Sequence, residues 1–253
     1  MKKSMILVAV LTVMGAATAL AQGIVVNKTD GSKVYFKASE VVSVTTYGYG
    51  EDGPHAPAGA EAVDLGLPSG TKWANMNVGA EKPEDYGLYF AWGEIEPKEV
   101  YDWDTYQYGS SENDVEDIGS DIAGTKYDAA TANWGAPWRM PSLAQIQELL
   151  DNCTSDWTAL NGVKGWKFVG PNGGTIFLPA AGDSDVLNAE LNDPESYGSC
   201  WSSKLNESRP YYAYGLYFYD LYFNSGTADW GSSCRLDGRS VRPVLRTESA
   251  SFR

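Results

Sequence analysis

The chain has 253 residues, of which 33 are acidic and 19 are basic, and its formal net charge is −14. An acidic surplus repels phosphate groups, so the composition argues against a nucleic-acid partner. Its three cysteines are too few for a disulfide-stapled scaffold, and both one bridge with a spare thiol and no bridge at all fit that count.

Residues 1–21 are expected to be a secretory signal peptide. Lys2 and Lys3 form a basic start, Met5–Met14 is apolar, and Ala19-Leu20-Ala21 matches a small-x-small cleavage site. Cleavage would lower the charge to −16 by removing the two lysines. We therefore expect export to the periplasm, cell surface or medium, and no membrane span, because no other stretch is long and apolar enough.

A small N-terminal β unit is predicted at residues 22–48. In "IVVNKTDGSKVYFKA", Asp30-Gly31 separates two strand-like runs, which is typical of a hairpin, and "VVSVTTYGYG" is a further strand-like run. Residues 49–61, rich in Gly, Pro and Ala, predict a linker. The main domain is then expected at residues 62–245, with a tail at 246–253.

The main domain is predicted to be α+β. Residues 95–133 are polar and acidic, which favours a long surface loop. "MPSLAQIQELLDNC" predicts its one convincing helix, because Ser142 and Gln145 form a capping box before an apolar stripe. "GWKFVGPNGGTIFLPAAG" predicts a hairpin around Asn172-Gly173, and the remainder reads as short strands and loops.

The segment "RPYYAYGLYFYDLYF" at residues 209–223 alternates apolar residues with tyrosines. A two-residue turn at Tyr219-Asp220 would pair Phe218 with Leu221 and Leu216 with Phe223 on a core face. A bulge at the same place is the competing interpretation. In either case Tyr217 and Tyr222 are expected on the opposite, displayed face.

An ordered set of motifs spans residues 62–245. The motifs are "VDLGLPSGTKWANMNVGA", "YGLYFAWGE", "WRMPSLAQIQELL", "GGTIFLPAAG", "CWSS", "LYFNSG" and "GRSVRPV". The set resembles the major paralogous domain of Fibrobacter-type and Bacteroides-type secreted proteins, a branch of the C-type-lectin-like fold. The resemblance implies a C-type-lectin-like domain with short strands, long loops and few helices. "GRSVRPV" resembles the last strand of that fold, which also ends formylglycine-generating enzymes.

Some proteins of that fold are variable proteins of diversity-generating retroelements, in which adenine-directed reverse transcription changes asparagine codons to Tyr, Ser, Asp, Cys, Gly or Leu. The resemblance therefore implies a variable, ligand-binding face near the C-terminus. Its suspected members are Tyr211, Tyr212, Tyr214, Tyr217, Tyr219, Asp220, Tyr222, Trp230, Ser232, Ser233, Cys234, Leu236 and Asp237. The framework expected between them comprises Trp201, Leu216, Phe218, Phe223, Arg239, Val241 and Arg242.

Tyrosine offers a large contact area, few rotatable bonds and a polar tip, which is why binding surfaces favour it. The segment thus predicts a site for a protein or glycan ligand, with no cofactor and no metal. Arg239 and Arg242 are expected to pair with acids or carbonyls inside the domain. The acids of "SENDVEDIGSD" (111–121) leave calcium open as an alternative, but their spacing is not that of an EF-hand, and a solvated loop is favoured.

Catalysis is not expected. His55, the only histidine, lies in the predicted linker and leaves no base for a Ser-His-Asp or Cys-His site. Cys200 and Cys234 are the only analogues of a formylglycine-generating cysteine pair. The acids that favour a carbohydrate-active enzyme as an alternative are Glu94, Glu96, Asp102 and Asp104, beside aromatic residues. A second alternative is a structural or tip subunit of a surface fibre or pilus, with a fibre or outer-membrane partner at residues 22–48.

Overall fold

In the computed structural model of the protein, the described residues are 24–27, 33–36, 54–184, 194–219 and 227–245. The chain divides into two compact units, Met1–Gly48 and Tyr49–Arg253. The predicted signal peptide, the run "VVSVTTYGYG" and the tail lie outside the described residues. In the part of the chain that is described, neither helix has the length and apolar character needed to cross a bilayer.

The first unit contains a two-stranded antiparallel sheet of β1 (Ile24–Asn27) and β2 (Lys33–Phe36), so the two strands of the predicted hairpin are confirmed. Its register places Ile24 opposite Phe36 and Val26 opposite Val34. An isolated two-stranded ribbon is only marginally stable in water.

The second unit holds the remaining strands and both helices. Its N-terminal half contains β3 (Ala62–Asp64), β4 (Lys72–Ala74), β5 (Tyr89–Phe90), β6 (Gly109–Ser111), β7 (Asp114–Val115), α1 (Ala129–Trp134) and α2 (Leu143–Asn152). Its C-terminal half contains β8 (Thr154–Leu160), β9 (Val163–Val169), β10 (Thr175–Pro179), β11 (Tyr197–Leu205), β12 (Tyr212–Tyr219), β13 (Thr227–Cys234), β14 (Arg239–Ser240) and β15 (Val244–Leu245).

The largest sheet has five strands in the order β13-β12-β11-β14-β5, and β14 runs parallel to β11. Two three-stranded sheets have the orders β10-β9-β8 and β15-β4-β3, and β6 pairs with β7. Val244 of β15 lies opposite Trp73 of β4. The last described strand of this unit therefore pairs with one of its first strands. Short strands with two short helices fit an α+β or mostly β class, which confirms the coarse expectation.

The predicted helix and hairpin are confirmed. The Ser142 hydroxyl accepts from the Gln145 N–H at 3.2 Å, and the Gln145 side chain accepts from the Ser142 N–H at 2.9 Å, completing the capping box. Ile146 and Leu149 of α2 are fully buried. The β9–β10 pair surrounds the predicted turn, where Gly173 has a φ of 85° that glycine adopts without strain.

The interpretation of residues 95–133 as a surface loop is confirmed only in part: most of the segment is irregular and exposed or half-buried, but it also contributes to the core. Tyr106 and Ile122 are buried, and the segment also begins a second helix, α1, that the sequence did not predict. The Asp128 carboxylate starts α1 by accepting from the N–H groups of Ala130 and Thr131. The sequence did not predict these features because the apolar residues of the segment stand singly among charged ones. A helix of only six residues is also too short to show a helical hydrophobic period.

The five-stranded sheet lies between two apolar clusters. Trp201 of β11 belongs to a cluster with Trp92 and Trp134, whereas Leu216 and Phe218 of β12 belong to a cluster that includes residues of α2. The framework residues predicted to be internal are buried where they are described: Trp201, Leu216, Phe218, Arg239, Val241 and Arg242. The tyrosine-rich strand is therefore a central structural element as well as a candidate site.

Candidate ligand-binding surface

The strands β11, β12 and β13 carry the tyrosine-rich sequence. Leu216 of β12 lies opposite Cys200 of β11 on one side and opposite Trp230 of β13 on the other. Because side chains alternate along a strand, even-numbered residues of β12 occupy one face and odd-numbered residues the other. We call the face with Leu216 and Phe218 the helix face, since α2 packs there, and the face with Tyr217 the arginine face.

Part of the helix face is closed. Leu216 and Phe218 are fully buried in the cluster that contains Ile146 and Leu149. Phe218 fits because a Cβ at Gly198, its partner on β11, would lie 2.1 Å from the phenyl ring. The prediction that Leu216 and Phe218 anchor this strand is therefore confirmed.

The predicted two-residue turn at Tyr219-Asp220 is wrong. Tyr219 is the last residue of β12 and pairs with Thr227, so residues 220–226 connect β12 to β13. Phe218 faces Ala228 instead of the predicted apolar partner, because pairing with both β11 and β13 carries the strand past the proposed turn. The other residues of that prediction lie outside the described part: Asp220, Leu221, Tyr222 and Phe223.

The rest of the helix face is open and aromatic. Its aromatic residues are Tyr212, Tyr214 and Trp230. We call these three, together with Tyr211, which precedes β12 and whose ring adjoins that of Tyr212, the aromatic patch. The rings of Tyr214 and Trp230 meet edge to face with centroids 5.7 Å apart, and those of Tyr211 and Tyr212 are 4.5 Å apart. Trp230 is 40% exposed, and in the described part of the chain only Val100 is a comparably exposed large apolar residue.

Polar groups border the aromatic patch. Ser232 lies opposite Tyr214, and its hydroxyl accepts from the Asn206 side-chain amide at 3.3 Å. The Arg209 guanidinium carbon lies 5.9 Å from the centroid of the Tyr212 ring. Exposed aromatic rings beside hydrogen-bonding groups are typical of recognition surfaces.

The arginine face is closed around Arg239. Its guanidinium carbon lies 4.9 Å from the Tyr217 ring centroid and 5.2 Å from that of Trp201. It donates to the Tyr197 hydroxyl at 2.6 Å and pairs with the Asp183 carboxylate at 2.9 Å. The half-buried Tyr217 therefore packs on Arg239, and its display to a ligand stays a prediction.

Two further suspected variable residues join this arrangement. Arg239 donates to the Ser233 hydroxyl at 2.7 Å and lies 3.4 Å from the Asp237 carboxylate, which is buried. We call Asp183, Tyr197, Tyr217, Ser233, Asp237 and Arg239 the arginine network. The expectation that Arg239 pairs with acids inside the domain is confirmed.

Arg242 is fully buried and has neutral acceptors. Its guanidinium donates to the Asn77 side chain at 2.8 Å and to the carbonyl oxygens of Ala74 and Phe177 at 3.1 and 3.0 Å. Burial lowers its pKa to about 10, so it stays charged at neutral pH. The expected pairing of Arg242 with carbonyl groups is therefore confirmed, and it fastens the end of the domain to earlier strands.

Sequence reasoning missed Arg235. It is buried, donates to the Tyr106 hydroxyl at 2.8 Å and lies 5.0 Å from the centroid of the Trp92 ring. Leu236, its neighbour, is also fully buried, so Leu236 cannot contact a ligand in this structure. The signal that could have revealed the site is a lone arginine between apolar residues, since cations are buried only when aromatic rings or acceptors compensate.

The predicted site residues thus separate into three groups. Those that form or border the aromatic patch are the exposed Trp230 and the half-buried Tyr211, Tyr212, Tyr214 and Ser232. Those engaged in contacts inside the domain are Tyr217, Ser233, Cys234, Leu236 and Asp237. Asp220, Tyr222 and the side chain of Tyr219 are not among the described groups.

The three cysteines are free. Cys200 lies opposite Leu216 on one side of β12, and Cys234 lies opposite Tyr212 on the other side, four residues along. At roughly 3.3 Å per residue and 4.8 Å per strand they are about 16 Å apart, too far for a disulfide. Burial raises the pKa of both thiols to about 11, so neither is activated as a nucleophile.

The acids of the carbohydrate-active alternative have different environments. Glu94 is buried and bonds to the Lys98 ammonium at 3.0 Å. Asp102 accepts from the Thr105 N–H at 2.8 Å, and Asp104 is exposed. Glu94 and Asp102 therefore have structural partners.

The acids of residues 111–121 also bond locally. The Asp114 carboxylate accepts from the Ser110 hydroxyl at 2.5 Å, and Asp117 accepts from the Gly119 N–H at 2.9 Å. A search of the described residues finds no group of three or more His, Cys, Asp or Glu placed to hold a metal ion.

Comparisons of the chain with protein-family models, with curated proteins and with solved structures gave no match.

Proposed function

We propose that the chain is an exported ligand-binding protein whose C-type-lectin-like domain presents the aromatic patch to a protein or glycan ligand. The observation that carries this proposal is the exposure of Trp230 against Tyr214 on strands whose neighbouring residues are fully buried. When a partner covers an exposed tryptophan side chain, apolar surface is removed from water, which favours binding. The proposed contact is non-covalent.

The position of the patch supports binding by a preorganised surface. Tyr212, Tyr214 and Trp230 stand on β12 and β13, and these strands are anchored by the buried Leu216 and Phe218. Side chains held on strands over a packed core lose little conformational entropy when they bind. A few such anchors carry most of the energy of a typical interface.

The motif resemblance supports the finer assignment to the Fibrobacter- and Bacteroides-type domain and to retroelement diversification. If the segment is diversified, substitution is tolerated at accessible positions such as Tyr212 and Ser232 and is destabilising at Leu236. The neighbouring DNA then holds a near-copy of the region encoding residues 197–244, with mismatches only at adenines, beside a reverse transcriptase gene. Absence of that near-copy removes diversification and leaves ligand binding intact.

The N-terminal ribbon supports a fibre or outer-membrane partner as a second candidate role. The predicted docking segment contains β1 and β2, which pair antiparallel. Deleting residues 22–48 is expected to abolish surface assembly and to leave binding by the main domain unchanged. Unchanged assembly of the deletion variant would contradict this role.

The test of the proposed function is the double variant Tyr214→Ala/Trp230→Ala, assayed on a glycan array and on a displayed peptide library. Val100→Ala is the matched control, because Val100 is the other exposed large apolar residue of the described chain. Tyr217→Ala is unsuitable, because the ring packs on Arg239 and its loss would disturb the fold.

We expect the wild type and Val100→Ala to bind the same probes, and the double variant to lose that binding while its melting temperature stays within a few degrees of the wild type. Equal binding by the double variant and the wild type would show that the aromatic patch is not the site.

A further inference from the structure

Among the described residues, no strand covers the outer edge of β13. The sheet order places β12 on one side of β13 and no described strand on the other. The Arg235 N–H donates to the Tyr211 carbonyl, which continues the β12–β13 register by one pair, whereas the Tyr212 carbonyl accepts from Asn206 on the β11 side. In an antiparallel sheet, the backbone N–H and C=O groups of every second residue point to the same neighbouring strand. The even-numbered residues of β13 therefore direct these groups away from β12.

These outward groups belong to Ala228, Trp230 and Ser232. Within the described part of the chain, hydrogen bonding engages only one of their backbone groups: the Trp230 N–H donates to the Asp229 carboxylate at 2.7 Å. Asp229 and Trp230 are both exposed. The edge therefore offers unused donors and acceptors directly beside the aromatic patch.

This edge lacks the usual protection. β13 pairs with β12 over eight consecutive residues without a register shift, and its sequence "TADWGSSC" has neither proline nor lysine. Sheet edges are normally blunted by proline, lysine, bulges or a covering segment. Here the Asp229 carboxylate is the single such device among the described residues, and it occupies one N–H.

We propose that the open edge of β13 binds an extended segment of a basic partner protein as an added antiparallel strand. This inference rests on the proposed function, because the added strand would lie against Trp230 and Tyr214 of the aromatic patch. Main-chain bonds to Ala228, Trp230 and Ser232 supply affinity, and side chains at alternate positions supply specificity.

Charge selects the partner. When a carbonyl of the added strand takes the Trp230 N–H, the Asp229 carboxylate loses its bond and needs a new one. A lysine or arginine directly opposite Asp229 provides it, and the net charge of −14 attracts basic chains. Residues opposite Trp230 are apolar, so the recognised pattern alternates basic and apolar residues.

The probe is an acetylated, amidated eight-residue peptide of alternating lysine and valine, measured by fluorescence anisotropy with the full chain. In the proposed register the valine amides face β13 and the lysine amides face away. N-methylation of the valines is therefore expected to weaken binding at least about fivefold, and N-methylation of the lysines to change it little. A peptide with aspartate in place of lysine is expected not to bind.

Variants of the chain test the same geometry. Ser232→Pro removes an outward N–H that β12 does not use and is expected to weaken peptide binding at least about fivefold, whereas Ser232→Ala retains it. Equal affinity for both N-methylated peptides overturns main-chain pairing, even if Ser232→Pro fails to fold.

Other outcomes separate this inference from the proposed function. Binding to a glycan array that Trp230→Ala abolishes, with no peptide bound, overturns strand addition and supports the aromatic patch as a glycan site. Self-association that Ser232→Pro abolishes, seen by sedimentation velocity, replaces the basic partner with a second copy of the chain. Unchanged binding of both probes by Trp230→Ala overturns both proposals.

Discussion

The aromatic patch and the arginine network use the same residue types on the same strands with opposite results. Tyr212 and Tyr214 are half-buried beside the exposed Trp230 on the helix face, whereas Tyr217, also half-buried, lies against a buried guanidinium on the arginine face. Ser232 borders the patch, whereas its neighbour Ser233 accepts a bond from Arg239. Because the two regions contain the same residue types, the face of the strand on which a residue lies decides its role. Residues on the face that holds Arg239 contact the guanidinium, whereas the patch residues on the other face are free to bind.

The difference has an energetic basis. A buried guanidinium is costly unless charges, acceptors and rings surround it, so the residues near Arg239 are fixed by that requirement. The residues of the aromatic patch surround no such group, and their substitution changes contact with a partner more than it changes the fold. Mutations at paired positions in the two regions should therefore differ mainly in their cost to stability.

The largest effect is expected for Arg239→Met, which leaves the Asp183 and Asp237 carboxylates in the domain without their cation. Breaking a buried ion pair on one side costs roughly 3–5 kcal/mol. Urea denaturation should show this loss. Arg209→Met is the matched control beside the aromatic patch, and we expect a change of less than about 0.5 kcal/mol there. Equal stability of the two variants would break the distinction between the regions.

The second-largest expected effect is a loss of stability at alkaline pH, caused by ionisation of the buried Cys200 thiol. Burial raises the pKa of Cys200 from 9.0 to about 11, so its contribution to stability is complete below pH 9 and is lost as the pH rises to 11. A shift of that size corresponds to about 3 kcal/mol. Tyr101, whose pKa burial raises to about 12, acts in the same direction at higher pH.

Urea unfolding at pH 8, 9, 10 and 11 measures this loss, and Cys200→Ala is the control that removes the thiol. The variant is expected to lose less stability than the wild type between pH 9 and 11. A wild-type free energy of unfolding that stays constant over this range would contradict the buried placement of the thiol.

The third effect compares identical substitutions in the two regions. Tyr217→Ser removes the ring that packs on Arg239 and Tyr197 and is expected to cost about 2 kcal/mol. Tyr212→Ser removes a side chain at the open patch and is expected to cost less than about 0.5 kcal/mol. Thermal unfolding of both variants checks this, and a larger loss for Tyr212→Ser would reverse the assignment of the two faces.

Local sequence signals predicted the parts of the fold that depend on neighbouring residues. The capping box at Ser142 and Gln145 and the turn at Asn172-Gly173 carry their own hydrogen bonds, so a short window is sufficient to recognise them. Alternation also predicted that Leu216 and Phe218 are internal. The short helix α1 was missed because six residues provide no period.

Contacts between residues far apart in the sequence determine the features that local patterns did not predict. A tight turn at Tyr219-Asp220 matched the local pattern, but β11 and β13 extend β12 to Tyr219. The ring of Tyr217 contacts Arg239, which reaches the strand from a later segment. Alternation placed Tyr217 on the face opposite Leu216 and Phe218, but it could not show that this face holds the Arg239 cation, because Arg239 lies in a later segment.

The smallest expected effect tests the contact between Gly231 of β13 and Tyr217. A Cβ at Gly231 would lie 3.2 Å from Cε2 of the Tyr217 ring, and that ring is held by Arg239. Replacing glycine by alanine in an extended strand normally stabilises by about 0.4–1 kcal/mol. Here we expect the crowded ring to outweigh that gain, so Gly231→Ala should destabilise by about 0.5 kcal/mol.

The sign of the Gly231→Ala effect should change when the ring is removed. In the Tyr217→Ser background the added methyl group meets no ring, and Gly231→Ala should become stabilising by about 0.5 kcal/mol. A double-mutant cycle from urea denaturation gives the coupling, expected at about 1 kcal/mol, and Gly59→Ala, where a Cβ would lie at an ordinary 3.5 Å from Met76, is the uncoupled control. Zero coupling would show that Tyr217 leaves the arginine face and that the closed region is more open than its contacts imply.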